Sequence, residues 1–240
     1  MCFKKLFGWF KKTKKDEISD SNDSNEKMSN NDLFQSEEDF EIKKNLENDT
    51  EDFVPSIKEE ENEVTEDNYI VNKDDKVIKV YAPCDGVVKE MKFIQDQVFK
   101  QNLLGEGLFI IPEYQKDQEK LAFYAPVSGE IVNLFHIGHY YTIREKFQGT
   151  DSYQDFVIHI GIDSVEAGEE AFFKKVNQSD HVTHNDVLCE IDIKKLLENA
   201  TSIDTPILVS AETLPNCKII NKRTGQVKRG DLIFEVLHLK

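Results

Sequence analysis

The sequence predicts an all-β fold for residues 76–240, an antiparallel β-sandwich of two related halves. A disordered acidic linker and an N-terminal amphipathic helix precede it. Three observations carry this. The C-terminal part of the chain is written in short apolar runs punctuated by glycine and proline, the signature of closely spaced strands. Two of those runs repeat one another. Charge is partitioned along the chain rather than spread over it.

The partition defines three segments: an amphipathic basic helix at 1–15, a linker at 16–75 and the β domain at 76–240. Net charge is −16, yet residues 1–15 hold six lysines and no acid. In that stretch Cys2, Phe3, Leu6, Phe7, Trp9 and Phe10 share one helical arc, opposite Lys4, Lys5, Lys11, Lys12 and Lys15. Aromatic residues facing lysines describe a helix lying in a membrane interface, with anionic lipid as its partner. The bland alternative is a helix docked on the protein's own core. Residues 16–75 hold 22 acids against five lysines, with few apolar residues. Such a segment cannot offset its chain entropy by burial and is expected to be disordered, with ends on the order of 40 Å apart. The rest of the chain is nearly balanced in charge, and the overall acidity argues against a general nucleic-acid-binding role, which needs a basic face. Four cysteines without a CxxC pair, no long apolar run and no signal-peptide core predict reduced thiols and a cytoplasmic location, peripheral at the inner face of a membrane.

Within the domain the strand candidates are KVIKVYA, GVVKEMKF, GLFIIP, KLAFYAP, GEIVNLF, YYTI, DFVIHIGI, DTPILVS and DLIFEVLHL. One helix is expected at Ile193–Asn199, capped by Asp192. VYAPCDGVVKEM (80–91) and FYAPVSGEIVNL (123–134) share Tyr-Ala-Pro-x-x-Gly-x-Val/Ile-Val, 43 residues apart. Each reads as strand, turn, strand.

His159 lies inside the apolar run QDFVIHIGIDSVE. By alternation Phe156, Ile158, Ile160 and Ile162 share one face, and Val157, His159 and Gly161 the other. A core histidine with a satisfied hydrogen bond is the ordinary reading. A second Gly-broken strand, LFHIGHYYTI, brings His136 and His139 and weakens it. One imidazole can attack phosphorus in line, and a neighbouring imidazole N–H can stabilise the charge transferred. The reacting ring needs its other nitrogen anchored on a carbonyl, and Gly161 leaves room for one.

At these residues the chain resembles the glucose-type enzyme IIA proteins of the phosphoenolpyruvate-dependent sugar phosphotransferase system. HIGIDSVE resembles their active-site signature. APCDGVV and APVSGEIV match the two Ala-Pro-x-x-Gly turns, and DQVFKQNLLGEGLFIIP (96–112) the site's apolar rim. HYYTI matches the strand of the second histidine, and DTPILVS and GQVKRGDLIFEV the closing strands. The resemblance implies a sandwich with a duplicated hybrid motif. It implies that His159 accepts a phosphoryl group on Nε2 from the histidine phosphocarrier protein and passes it to a cysteine of the enzyme IIB domain of a sugar permease. His139 would stabilise that group, and Val98, Phe99, Leu103, Leu104, Phe135 and Val157 would form the apolar rim for both partners. Asp96 and Asp163 would meet basic groups on them. No cofactor is required. Zinc could be held by His139 and His159 at an interface where a partner adds a carboxylate.

The sequence departs from that pattern in four places. Ile137 stands where a hydroxyl residue would orient His139. A long loop is expected at 144–155, AGEEAFF replaces a Gly-x-Gly-Phe turn, and THND (183–186) replaces a Gly-Asp turn. Lysostaphin-type metallopeptidases share a duplicated architecture but need a His-x-His pair, which is absent. Biotinyl and lipoyl carriers need a lysine at a hairpin tip, which neither Ala-Pro turn supplies. The rival function is a binding protein that regulates transporters or enzymes according to its phosphorylation state.

Overall fold

The computed structural model describes residues 69–239. The expected N-terminal helix and most of the linker lie outside them. Described strands are β1 (Val77–Tyr81), β2 (Gly86–Glu90), β3 (Gly105–Pro112), β4 (Lys120–Tyr124), β5 (Gly129–Leu134), β6 (Tyr140–Lys146), β7 (Tyr153–His159), β8 (Phe172–Lys174), β9 (His181–Val182), β10 (Val187–Asp192), β11 (Thr205–Ser210), β12 (Cys217–Ile220), β13 (Gly225–Val227) and β14 (Leu232–His238). Two short α-helices join them, α1 (Gln97–Lys100) and α2 (Ile193–Asn199). The strands form one eight-stranded sheet, β13-β2-β3-β11-β7-β6-β5-β9, and two three-stranded sheets, β1-β14-β12 and β4-β10-β8. The pairings are antiparallel throughout. All nine predicted strand runs are present, and α2 spans the expected residues, with the Asp192 carboxylate accepting from Lys195 N–H at 3.0 Å.

The repeat read in the sequence is a pseudo-twofold in space. Tyr81 N–H donates to the Pro126 carbonyl at 2.8 Å, and Tyr124 N–H to that of Pro83 at 2.9 Å. Each Ala-Pro turn therefore satisfies the other's backbone. Ala82 N–H donates to the Asp231 carbonyl at 2.8 Å and Ala125 N–H to the Asp186 carbonyl at 2.9 Å. The replaced turn THND does the same work as its counterpart KRGD: Asp186 accepts from Thr183 N–H at 2.7 Å, and Asp231 from Lys228 N–H at 2.8 Å.

The large sheet buries both faces at its middle. Phe156 and Ile158 of β7, Ile207 and Val209 of β11 and Leu108 and Ile110 of β3 point into the main core, against the two small sheets. Their alternates Val157, Leu208 and Phe109 point the other way. There Met91, Ile94 and Phe99, from the 91–93 turn and α1, cover them as a second apolar cluster. This second face carries the histidine.

Two sequence expectations are corrected. Ile162 does not continue the face of Ile158 and Ile160: Gly161 has φ +80°, which breaks the alternation, and Ile162 joins the second cluster. Half of the expected loop at 144–155 is paired strand, and only 147–152 turns between the strands. β6 and β7 stay in register through Arg144↔Asp155, Glu145↔Gln154 and Lys146↔Tyr153. Arg144 donates twice to the Asp155 carboxylate, at 2.7 Å each. Polar residues at these positions hid a hairpin whose pairing is held by an ion pair on one face and the buried Phe147 at its tip.

Phe156 is fully buried beneath the histidine-bearing face. Phe156→Ala should cost about 3–5 kcal/mol, read as a lower urea midpoint with an unchanged m-value. A loss below about 1 kcal/mol would show that the sheet is not anchored there.

Candidate active site

Three local features of the chain build the site. First, β6 and β7 pair so that Tyr140 is opposite His159, and Ile160 N–H donates to the His139 carbonyl at 2.7 Å. That register places His139, which immediately precedes β6, beside His159 at the end of β7. Their ring centroids are 5.0 Å apart with an interplanar angle of 77°. Second, the chain turns sharply after His159. Gly161, at φ +80°, presents its carbonyl to His159 Nδ1 at 2.8 Å. A Cβ at Gly161 would lie 2.9 Å from the Ser164 Cβ and 3.1 Å from the Ser202 carbonyl, so this close turn suits glycine. Third, Asp96 caps α1, its carboxylate accepting from Val98 N–H at 2.8 Å and Phe99 N–H at 3.0 Å. That cap sets Phe99 edge-on to His159, centroids 5.2 Å apart.

The His159 tautomer follows from chemistry. A carbonyl only accepts, so Nδ1 carries the proton in the neutral ring and Nε2 holds the lone pair. Burial pushes the His159 pKa down, opposed by the Gly161 carbonyl and by the charges of Asp96 and Asp163. Asp163 sits beyond the turn in the left-handed region, φ 54°, with its carboxylate accepting from the Thr201 hydroxyl at 2.7 Å. Both acids lie near the site, and both also hold local structure.

His139 is 6 % exposed, and its pKa is pushed down to about 3, first by burial and then by His159 and His136. It is neutral at ordinary pH. Its Nδ1 is buried without a hydrogen-bond partner among the described residues. Ile137, where a hydroxyl would stand, packs into the main core instead.

The rim residues are not equivalent. Phe135 packs edge-on to His139 at 5.0 Å and tilted against His136 at 4.6 Å. Leu103 is exposed, Val98 half-buried, and Leu104 packs on the second cluster. Val157 is 2 % exposed, so it supports the rim from below. Two rings escaped the sequence reading: Tyr140, 6.1 Å from His159, and Phe172, 6.1 Å from His139. Tyr140 was detectable as the residue after His139 once β6 and β7 were aligned. Phe172 reaches the site from a distant strand that no spacing rule connects to it.

Chemically this is a ring-walled spot with a half-buried imidazole whose Nε2 holds the lone pair and a neutral imidazole beside it. Among the described residues no group of three or more His, Cys, Asp or Glu could hold a metal. Two imidazoles supply only two ligands.

The sequence profile of the family described as phosphoenolpyruvate-dependent sugar phosphotransferase system, EIIA 1, matches residues 78–214. The glucose-specific EIIA component of Mycoplasma capricolum is 33% identical over 158 residues, covering 66% of this chain and 94% of that protein. That of Buchnera aphidicola is 29% identical over 163 residues, covering 68% and 93% respectively. The solved glucose permease IIA from Mycoplasma capricolum superposes with a TM-score of 0.58 at 31% identity, covering 70% of this chain and 98% of that one.

Unfolded, His139 would bind a proton below about pH 6.5, whereas in the fold it does so only near 3. Its contribution to stability is therefore complete above about pH 6.5 and is lost as pH falls toward 3. His139→Gln should narrow the gap between urea midpoints at about pH 7.5 and about pH 5. An unchanged gap would mean that His139 is not held neutral by the fold.

Proposed function

Since the chain belongs to the EIIA 1 family of the phosphoenolpyruvate-dependent sugar phosphotransferase system, we propose that His159 is its phosphoryl-carrying residue, loaded by the histidine phosphocarrier protein and unloaded onto a cysteine of an enzyme IIB domain. The observation that carries this is the 2.8 Å contact of His159 Nδ1 with the Gly161 carbonyl, which leaves Nε2 as the nucleophile.

In the first handover the Nε2 lone pair attacks phosphorus of the carrier's phosphohistidine. A new N–P bond forms, the donor's N–P bond breaks, and its electron pair returns to the donor ring. Nδ1 keeps its proton throughout. In the second, a cysteine thiolate attacks the same phosphorus, the P–N bond breaks, and the pair returns to Nε2. His139, neutral and 5.0 Å away ring to ring, offers an N–H to the phosphoryl oxygens without competing for the phosphate. Exposed Leu103 with half-buried Phe135 and Val98 forms the apolar contact surface, buried Phe99 supports it from beneath, and Asp96 and Asp163 form its acidic edge. A rim of this kind excludes water when a partner docks, which preserves the labile bond. A zinc ion here would take His139 and His159 plus a carboxylate from the docked partner. The sugar is chosen by the permease, so this chain's substrate is the phosphoryl group.

The test is incubation with phosphoenolpyruvate, enzyme I and the phosphocarrier. Acid-labile phosphate should appear on the parent and not on His159→Gln. Its absence from the parent sinks the proposal. His139→Gln should still be loaded, while onward transfer slows roughly 10²-fold. Onward transfer at the parental rate would remove His139 from the mechanism.

No helix among the described residues is long and apolar enough to cross a membrane. The basic aromatic segment at 1–15 supports a peripheral anchor, with the acidic segment as tether. Binding to vesicles containing anionic lipid should be lost on deleting residues 1–15, and equal binding to neutral vesicles would overturn this.

A further inference from the structure

Three rings wall His159, and two of them already have uses: buried Phe99 beneath the docking rim and His139 at the phosphoryl group. The third, Tyr140, has none. Its position follows from the sheet. Tyr140 and His159 are cross-strand partners. Because Ile160 N–H donates to the His139 carbonyl at 2.7 Å, the ladder's bonds fall on the neighbouring pair. Tyr140 and His159 thus form the non-hydrogen-bonded kind of pair, in which side chains approach most closely.

The phenol is also tethered. Its oxygen lies 3.4 Å from the Thr142 hydroxyl, two residues further along β6 and opposite Val157. The hydroxyl is therefore drawn away from His159, and the face of β6 and β7 lies beneath the ring. Tyr140 packs on the second apolar cluster together with Phe99 and Val157. What meets the imidazole is the ring, at 6.1 Å and 80°, and not the hydroxyl. Phe99 and His139 restrain other sides of the same imidazole. Removing Tyr140 would leave the β6 side open, so that the imidazole could turn about its χ2 bond and release the Gly161 carbonyl.

We propose, on the reading of His159 as the phosphoryl-accepting residue, that Tyr140 is a positioning residue: its ring keeps the His159 imidazole seated on the Gly161 carbonyl and shields the β6 side of the N–P bond from water. The effect runs through orientation, which a loosely held nucleophile loses first.

The test uses the full chain with Tyr140→Phe, Tyr140→Ala and Tyr140→Leu. Tyr140→Phe should match the parent in every readout, because the hydroxyl is not used on His159. In Tyr140→Ala, nitrogen-15 NMR of His159 should change from one tautomer, protonated at Nδ1, to an averaged mixture. The kcat for phosphoryl acceptance should fall about tenfold with the KM for the phosphocarrier nearly unchanged. Phosphate should also be lost several-fold faster from the isolated phosphorylated chain. Tyr140→Leu keeps an apolar cover on the cluster and guards against a folding loss. At the parental melting temperature it should show the same tautomer mixing. Parental tautomer and phosphohistidine lifetime in Tyr140→Ala or Tyr140→Leu would overturn the proposal, as would Tyr140→Phe behaving like Tyr140→Ala. If the parent takes no phosphate, the functional reading fails, while the tautomer comparison still decides the role of Tyr140.

Discussion

A carbonyl oxygen can only accept a hydrogen bond, and the one on Gly161 sits 2.8 Å from His159 Nδ1. That contact decides which nitrogen is protonated, which one is nucleophilic and which way the ring faces. It exists because Gly161 takes φ +80°, a conformation that other residues resist. The turn is held from outside as well. Ile162 N–H donates to the Ser202 carbonyl and Thr201 N–H to the Ile162 carbonyl, both at 2.9 Å. The Ser164 hydroxyl reaches the Gly161 carbonyl at 3.3 Å. The reactive geometry therefore rests on a loop stapled to a neighbouring segment, at the end of a strand fixed by two partners in the sheet.

His139 shows what such a site costs. Its Nδ1 is buried without a partner, which carries a penalty of about 1–3 kcal/mol. Its neutrality at ordinary pH comes mainly from burial. A charged imidazole would pair with nearby carboxylates and repel a cationic His159. A neutral one can donate without doing either. The apolar surroundings that make the fold pay for His139 also make it chemically suitable.

The pseudo-twofold gives the fold its frame but not its site. Each half contributes an Ala-Pro turn whose backbone is satisfied by the other, with an aspartate closing both ends. Equivalent positions even keep equivalent contacts: His184 stacks on Tyr81, and Arg229 lies over Tyr124. His139 and His159 stand outside this repeat, just before β6 and at the end of β7 of the large sheet. The repeat supplies the frame, and the asymmetric hairpin carries the two neighbouring imidazoles.

The period-two apolar pattern and the glycine and proline punctuation were enough to read nine of the fourteen described strands, leaving β8, β9, β10, β12 and β13 unread, and the repeat was enough to read the duplication, because both are local properties of the chain. His159 and His139 could be paired from sequence through their motifs. The hairpin at 144–155 could not be read, because an ion pair such as Arg144 with Asp155 looks like loop composition until the strands are aligned. The turn of Ile162 onto the other face could not be read either, because alternation says nothing of a glycine's φ. Composition and periodicity therefore determined nine of the strands and marked the two histidines. Only the tertiary structure decided what stands beside them: Tyr140 across the ladder, Phe172 from a distant strand, and an unpaired nitrogen on His139. Those neighbours depend on register and on approach between segments far apart in the chain, and no local pattern encodes either.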